Sequence, residues 1–522
     1  MIAPSQPRTL FSRIPTGLWF AGVALVAFAS QTWAWWHQGG LLAGMHADGP
    51  FHFVSELVRS ASGVLPTDPM VQANRDVGAY EHFYASVIGL AKLTGWSLLT
   101  ANLAMCWAGN FLYLAGVFAL LRKLHVAPWS CALGTWLGAQ PFVFIGMSSG
   151  VTHSLAIPRE VWLWPMPWFA MWFATGRREG VHLIVFYVAL GAIYAFTYPL
   201  WAALLGVAFG LADAWAIVRE RRWPQLAWLA AAGVLCLLVV AVPALSTLRA
   251  VGGDEGALLD YNQITRAVYF TKGFRRLLLF GSVGIAALWC LLKEDGDGVK
   301  PWRRLGRLLL GSLLVCVAYE PLQRFVPSLS MLYLGRLSLV VFLVSMVSVA
   351  AWLEGRFGSL PKWGKALVIV AVLWTSVEPV RSTRKELALQ APPARTDFVE
   401  FCRWVKQNTK PESLAVVEPT IGSHYFRVYA ERGLWMNTKD TGVLSRSKKL
   451  FSQALERLER LNELYAPATS VAQREAVLDR LRGDGVAYMV TRTSHDWAGA
   501  LSWPVVHTTG IWQLRAAPAA AN

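Results

Sequence analysis

An acid and two histidines stand close together in HADGPFHFVSELV, residues 46–58, directly after a long apolar run. The residues that follow Asp48 predict a helix beginning near Pro50. The helix dipole keeps a carboxylate at a helix N-terminus ionised, and an ionised carboxylate beside a membrane can act as a general base. His46 and His52 flank the acid. The simpler interpretation is that Asp48 only caps the helix.

The predicted helix has one apolar face, formed by Phe51, Phe53, Val54 and Leu57. Such a face predicts a helix that lies in the lipid headgroup plane and holds the acid at the membrane surface. The same segment contains other polar side chains that could contact a substrate. The candidates for substrate binding there are His52, Asp76 and Glu81.

A second candidate group lies in SSGVTHSLAIPRE, residues 148–160, which ends in Arg159 and Glu160. A guanidinium group remains charged and donates two parallel hydrogen bonds, so Arg159 is suited to a phosphate. His153 and Glu160 are further candidates for substrate binding. The alternative is that Arg159 extends from the end of a span towards water, beside Glu160.

Two more arginines stand near the ends of apolar runs, Arg324 in YEPLQRFVP and Arg336 in MLYLGRLS. Arg336 falls a turn or two inside a predicted span. An unpaired charge at mid-bilayer costs a few kcal/mol, so such a residue usually faces a partner or a cavity. In one interpretation Glu320 pairs with Arg336 and neutralises its charge, and the arginine then has only a structural role. The other interpretation is that both arginines bind an anionic substrate at lipid depth.

The composition indicates that the helices carrying these candidate residues lie mainly in lipid. The chain has 522 residues, of which 55% are hydrophobic and 15% charged, and a mean hydropathy of +0.40. Soluble domains carry about 25% charged residues, and a membrane span needs about 20 apolar ones. The sequence therefore predicts a polytopic α-helical membrane protein with about eleven transmembrane helices. They are expected at 15–36, 98–121, 129–147, 159–175, 181–197, 200–218, 224–246, 275–292, 305–320, 330–353 and 363–379.

Clusters of basic residues occur in alternate connections, for example RERR at 219–222 and KPWRR at 300–304. Because cytoplasmic loops are enriched in Lys and Arg, the N-terminus is predicted inside and the chain beyond residue 380 outside. The net charge of +16 is then a topology signal and does not indicate a nucleic-acid partner. Residues 81–96 would break the alternation as a span, so a surface helix is expected there. The first apolar run is long for a signal peptide, which favours a retained anchor.

Residues 1–380 are expected to form the transmembrane module, with external segments at 37–97, 148–160 and 248–273. Residues 381–522 have the composition of a soluble extracytoplasmic α/β domain. Its expected helices cover 396–408, 448–466 and 470–485, and its expected strands 413–419, 486–491, 504–510 and 511–516.

This arrangement resembles the GT-C superfamily of membrane glycosyltransferases. The resemblance rests on an acid directly after the first span in HADGPFHF, a second external loop near the fourth span, about eleven spans, and a C-terminal external α/β domain. It covers nearly the whole chain in architecture. The stretch FRVYAERGLWMNTKD, residues 426–440, is also similar to the external domain of bacterial members.

The resemblance implies a polyprenyl-phosphate-linked sugar as donor and the first-loop acid as catalytic base or metal ligand. Asp48 matches that acid. Arg336, followed by Arg159 and Arg324, matches the arginine that binds the donor phosphate. Metal-using members carry two acids in the second loop, where this chain has Arg159 and Glu160. A divalent metal is therefore in doubt, although Asp48 and the neighbouring histidines could supply ligands.

The expected function is sugar transfer to a glycan, lipid or protein acceptor on the external face of a bacterial cytoplasmic membrane. A single base acting in one displacement would invert the anomeric centre. Two alternatives remain open. A transporter of an anionic or lipid-linked substrate would also place charges such as Arg336 and Asp213 inside the membrane. A non-catalytic assembly protein could use the same scaffold without its chemistry.

Overall fold

The structure is a computed structural model, and the residues it describes exclude both termini and several connections. The described residues are 14–37, 49–61, 64–75, 81–140, 143–144, 147–148, 163–195, 198–251, 255–293, 299–326, 333–374, 377, 395–418, 423–438, 440–444 and 448–518.

The first 374 residues are almost entirely helical where the structure describes them. The helices are α1 Thr16–His37, α2 Gly49–Ser60, α3 Pro69–Arg75, α4 Glu81–Thr94, α5 Leu98–Lys123, α6 Pro128–Ala139, α7 Pro165–Thr175, α8 Val181–Ala195, α9 Pro199–Arg219, α10 Pro224–Val251, α11 Glu255–Leu292, α12 Val299–Phe325, α13 Ser338–Arg356 and α14 362–374. A helix is present at each predicted span, and the helix expected within 81–96 covers Glu81–Thr94.

Six helices are long and apolar enough to cross a membrane, judged by length and composition over the described residues. These candidate spans are Leu98–Lys123, Pro199–Arg219, Pro224–Ala241, Phe274–Leu292, Val299–Gln323 and Leu334–Ser359. Thr16–Ala29 and Val181–Ala195 are shorter apolar helices. The prediction of a polytopic helical membrane protein is confirmed, and the total of about eleven crossings stays a prediction.

One predicted boundary is wrong. The span expected at 129–147 ends at Ala139, because Pro141 forces Gln140 into an extended conformation with ψ 129°. Two short antiparallel strands follow, β1 Val143–Phe144 and β2 Met147–Ser148. The span predicted at 275–292 agrees with the candidate span Phe274–Leu292. The helix that contains it, α11, begins at Glu255, within the segment expected to be external at 248–273, and has 38 residues. At 1.5 Å per residue this helix is about 57 Å long, well beyond a hydrocarbon core of about 30 Å.

Helix α13 forms the centre of the helical bundle. Every side chain from Ser338 to Ser348 is buried, and the candidate span that contains α13 has a mean hydropathy of 2.1. A helix that is apolar on all sides is stable only when other helices surround it, and α6, α11 and α12 pack against it. Gly284 of α11 allows the closest approach, since a β-carbon there would collide with the Ser345 side chain.

One end of the bundle is held together by buried charges. Arg178, just before α8, forms an ion pair with Asp213 of α9, and the Tyr187 hydroxyl donates to Asp213 at 2.9 Å. Arg304 of α12 donates to the carbonyl of Gly176 at 2.6 Å and so caps the end of α7. We call this the arginine-rich end. Helix α9 starts at the opposite end, beside the 3₁₀ turn that precedes α13.

The C-terminal part is a three-layer α/β domain, as predicted. Its elements are α15 Arg395–Asn408, β3 Leu414–Val416, α16 His424–Ala430, β4 Gly433–Leu434, α17 Asp440–Leu444, α18 Lys448–Tyr465, α19 Val471–Gly483, β5 Val486–Arg492, β6 Val505–Thr509 and β7 Trp512–Ala516. The strand order is β4-β3-β5-β7-β6, with β3 parallel to β4 and β5 and the remaining pairs antiparallel. Alternate residues of β3 face opposite layers: Ala415 packs with α15 and α16, whereas Leu414 and Val416 pack with α18 and α19.

The segment that contains α2 and α3 shares a hydrophobic core with this domain. Phe53 and Val54 of α2 are buried beside residues of α15 and α16, including Phe401 and Phe426. Helix α2 begins at Gly49, as predicted, but for Phe53 and Val54 the predicted contact with headgroups is wrong. Their apolar surface packs against protein, because the C-terminal domain covers this face of α2.

Candidate functional site

The residues singled out from the sequence differ in how far the structure places them. Asp48, Asp76, His153, Arg159 and Glu160 lie outside the described residues. His52 lies on α2, Glu81 is the first residue of α4, and Arg324 lies in the last turn of α12, but their side chains are not described, nor is that of Glu320. Arg336 is described in full, and the site is built from it.

Arg336 lies in a 3₁₀ turn, Leu334–Leu337, that leads directly into α13. The turn begins after Tyr333, whose backbone has a left-handed φ of 48°. That conformation is strained for a residue with a large side chain, and such strain is concentrated at functional sites. The Tyr333 ring lies 4.4 Å from the Arg336 guanidinium carbon, which is a cation–π contact.

The Arg336 side chain is 8% exposed although it carries a full charge. Its Nη1 donates to the hydroxyl of Tyr198. Within the part of the chain that the structure describes, Nε of Arg336 has no hydrogen-bond partner and no carboxylate forms an ion pair with the group. A buried guanidinium with donor capacity left over favours an anion, since a charge is stable in an apolar site only when it is paired.

Tyr198 is placed by the start of α9. It precedes Pro199, which restricts it to an extended conformation, and its φ of −149° and ψ of 86° point the chain into the helix. The residue is 7% exposed. Tyr198 and Arg336 therefore lie at the end of the bundle opposite the arginine-rich end, where α9 begins and α12 gives way to α13.

Helix α2 is attached to the helical bundle by a buried acid. The carboxyl oxygens of Glu56 lie 2.7 and 3.0 Å from Nδ2 of Asn102 on α5, and Glu56 is 0% exposed. Burial raises the pKa of Glu56 to about 8, and the hydrogen bond from Asn102 opposes this shift. Glu56 is thus an uncharged carboxylic acid at neutral pH.

A buried ion triad, which consists of Asp68, Arg427 and Asp440, joins the 37–97 segment to the C-terminal domain. Nε of Arg427 donates to Asp68 at 2.6 Å, and Nη1 donates to Asp440 at 2.7 Å. Each of the three residues is at most 1% exposed. Burial alone would lower the pKa of Arg427, but the charges of Asp440 and Asp68 outweigh it and hold the pKa above its usual value.

Asp68 also satisfies backbone donors on both sides of the contact. It accepts from the amides of Met70 and Val71 at 3.0 and 3.1 Å, which caps α3. Its other oxygen accepts from the amide of Leu434 at 2.8 Å, on the edge strand β4. Asp68 thereby connects the start of α3 to β4, the edge strand of the sheet.

Sequence reasoning missed this triad. The structure pairs Asp440 with Arg427. The available signal was the sequence TDP at 67–69, in which an acid precedes a proline as it does at a helix start. The partner 359 positions away could not be read from spacing. Glu56 was missed because it stands among the polar residues of an amphipathic helix.

Among the described residues, no group of three or more His, Cys, Asp or Glu side chains is arranged to hold a metal ion. Of the three ligands considered from the sequence, Asp48 and His46 lie outside those residues, and the side chain of His52 is not described.

Residues 396–447 match a protein family described as a domain of unknown function, DUF6798. The matched residues run from α15 to just past α17, and they include both Arg427 and Asp440. None of the curated proteins shows a significant match to the sequence.

Solved structures show what the fold is. The chain is similar to ArnT from Cupriavidus metallidurans in the apo state, with a TM-score of 0.53, 14% identity and coverage of 96% of this chain and 98% of that one. The same protein bound to undecaprenyl phosphate gives a TM-score of 0.52 at the same identity and coverage. The arabinofuranosyltransferase AftD from Mycobacteria gives 0.50 and 14% identity, over 98% of this chain and 41% of that one. The chain therefore has the fold of the GT-C membrane glycosyltransferases, as the sequence predicted.

Proposed function

We propose that the chain is a glycosyltransferase that moves a sugar from a polyprenyl-phosphate donor to a glycan, lipid or protein acceptor on the external face of a bacterial cytoplasmic membrane. The observation that carries this proposal is Arg336, a buried cation at one end of an apolar bundle whose Nε has no hydrogen-bond partner among the described residues. A substrate that is half lipid and half anion suits such a position. The GT-C fold supports it, because ArnT, which shares the fold, has been solved with undecaprenyl phosphate bound.

The distribution of basic residues supports the proposed orientation. With the arginine-rich end in the cytoplasm, as the positive-inside rule predicts, Arg336 and Tyr198 face the outside. The N-terminus is then inside, and the C-terminal domain from residue 381 onward is outside. This is the side on which the segment containing Asp48 meets that domain.

In the proposed reaction the acceptor hydroxyl attacks the anomeric carbon while Asp48 takes its proton. The bond from that carbon to the phosphate oxygen breaks, and the configuration inverts. Arg336 stabilises the phosphate as its charge increases. We assign contacts with donor or acceptor to the remaining candidates, which are His52, Asp76, Glu81, His153, Arg159, Glu160 and Arg324.

Phosphate binding is tested with purified protein and undecaprenyl phosphate, compared with undecaprenol, which lacks the charge. Arg336→Met should weaken binding of the phosphate by about 10- to 100-fold, the range of one or two charge-assisted hydrogen bonds. It should not change binding of the alcohol. Arg307→Met is the matched control, because Arg307 pairs with Glu220 at the arginine-rich end. Equal loss in both variants would contradict the assignment.

Catalysis is tested with undecaprenyl-phosphate-linked sugars in liposomes. Asp48→Asn should lower turnover by about 10²- to 10⁴-fold, the usual contribution of a general base, while the protein remains folded. Asp479→Asn, on the exposed surface of α19, is the control. Undiminished transfer by the Asp48 variant would remove Asp48 from the catalytic role.

A further inference from the structure

The C-terminal domain and the 37–97 segment are bonded to each other through charges that no substrate can touch. Arg427 uses Nε, Nη1 and Nη2 on the carboxylates of Asp68 and Asp440, at 2.6 to 3.2 Å. All three side chains are buried. The Thr67 hydroxyl adds a donation to the carbonyl of Glu412 at 2.9 Å. These bonds join two parts of the chain and do not line an accessible site.

Helix α2 is held on two sides by contacts with other parts of the chain. On one side Phe53 and Val54 are buried with the C-terminal domain, and α2 packs on α3, which Asp68 caps. On the other side Glu56 bonds to Asn102 of α5. The first residue of α2, Gly49, directly follows Asp48. Any shift of α2 therefore moves the backbone next to the proposed base.

We propose that the C-terminal domain positions the proposed catalytic base, and that Arg427 is the positioning residue that fixes the 37–97 segment to this domain through Asp68. The inference rests on the proposed function and goes beyond it, because it gives the domain a part in placing the base as well as any part in recognising an acceptor. It also gives a role to residues 396–447, whose family is described as a domain of unknown function.

The chemistry of the triad explains why an arginine is present. Two carboxylates must be satisfied from one buried position, and the planar guanidinium offers donors in several directions whereas an ammonium group is a single point charge. Removing the guanidinium leaves two carboxylates buried together, which is strongly unfavourable. Asp68→Asn is milder, because it leaves Arg427 and Asp440 as a neutral pair.

Docking is measured first, without any assay of activity. A β-carbon added at Gly433 would lie 3.3 Å from the Thr67 hydroxyl oxygen. The distance from a β-carbon to the sulfur across a disulfide is about 3 Å. Thr67→Cys with Gly433→Cys should therefore form a disulfide in nearly all molecules under mild oxidation by copper phenanthroline. Adding Arg427→Met or Asp68→Asn should slow its formation at least about 10-fold, if the triad holds the contact at its observed spacing.

Turnover is measured next. Arg427→Met and Asp68→Asn should lower kcat about 10- to 100-fold, the effect of misplacing a reacting group by about 1 Å, and leave KM for the lipid-linked donor within about twofold. Arg432→Met is the matched control. Arg432 is also a buried arginine of this domain, but its described partners, which include the carbonyls of Lys406 and Thr409, all belong to the domain itself. Its variant should retain kcat.

The disulfide then serves as a rescue. In the Arg427→Met background the closed disulfide between positions 67 and 433 should restore kcat to within about threefold, and reduction should abolish the rescue. Three results would overturn the inference: unchanged kcat in folded Arg427 and Asp68 variants, an equal loss in the Arg432 control, or a closed disulfide without rescue. If the wild-type protein transfers no sugar, the proposed function fails, and the rate of disulfide formation still decides whether the triad holds the docked segment.

Discussion

The carboxyl group of Glu56 and the side-chain amide of Asn102 meet in a buried contact, with one amide nitrogen 2.7 and 3.0 Å from the two carboxyl oxygens. This contact connects a helix of the 37–97 segment to a candidate span. Because Glu56 is fully buried, its pKa rises from 4.5 to about 8, and the folded protein holds a proton that the unfolded chain releases.

The first prediction concerns pH. The contribution of protonated Glu56 to the free energy of unfolding is complete below pH 4.5. It falls by about 1.4 kcal/mol per pH unit as the pH rises towards 8, and it is lost above that value. Glu56→Gln should remove this slope, because the amide has no proton to lose. Thermal unfolding of the two proteins between about pH 5 and 9 measures the difference, with exposed Glu463→Gln as control. Parallel curves for wild type and Glu56→Gln would show that Glu56 titrates normally.

The second prediction concerns the environment of Arg336. Tyr198→Phe removes the hydroxyl that accepts from Nη1 and should weaken binding of undecaprenyl phosphate about 2- to 10-fold, the net effect of one hydrogen bond. Arg336→Lys should weaken it further, since an ammonium group cannot replace the guanidinium fork. Tyr187→Phe, at the arginine-rich end, should leave the affinity unchanged. Equal effects of the two tyrosine variants would mean that the binding site is elsewhere.

The third prediction tests whether the ion pair at the arginine-rich end serves stability or sugar transfer. Arg178→Met leaves Asp213 buried without its cation and should cost about 3 to 5 kcal/mol of stability. Adding Asp213→Leu should recover most of that loss, because removal of both charges leaves neither unpaired. Unfolding of the two single variants and the double variant completes the cycle. A double variant that is as stable as wild type but inactive in transfer would give this ion pair a part in function.

The fourth prediction concerns the turn between β6 and β7. Gly510 has a φ of +55°, and a β-carbon there would collide with the carboxylate of Asp397 at the start of α15. Gly510→Ala should destabilise the protein by about 1 kcal/mol or more. Gly499→Ala is the control, since nothing lies within 4 Å of a β-carbon at that position. Equal melting temperatures for the two variants would contradict the strained turn.

Much of the fold could be predicted because a segment that crosses lipid must satisfy its own backbone hydrogen bonds, which leaves few possible structures. Long apolar runs such as the one that became α13 must be helices, and the strands and amphipathic helices of roughly the last 120 residues follow local periodicity. The prediction failed where the periodicity of apolar residues does not show where a helix ends. The proline after Gln140 ended a predicted span at Ala139, earlier than the apolar run suggests.

The candidate site was predicted less completely. Arg336 was found because a charge in an apolar run has to be explained. Asp68, Glu56 and Arg427 stand outside the long apolar runs, where a charged residue is ordinary, and only folding reveals that they are buried. Glu56 bonds to Asn102, 46 positions away, and Asp68 bonds to Arg427, 359 positions away, beyond the reach of any local pattern.

The distance along the chain between Asp68 and Arg427 also sets an order of events during synthesis. A ribosome adds about 5 to 20 residues per second, so roughly 20 to 70 s separate the appearance of the two side chains. Throughout that interval the newly made α2 and α3 lack the C-terminal domain. That domain buries Phe53 and supplies Arg427 and the amide of Leu434 as partners of Asp68. Helices α2 and α3 are thus made early but are among the last parts of the chain to acquire their final contacts, because those contacts need Arg427 and the C-terminal domain.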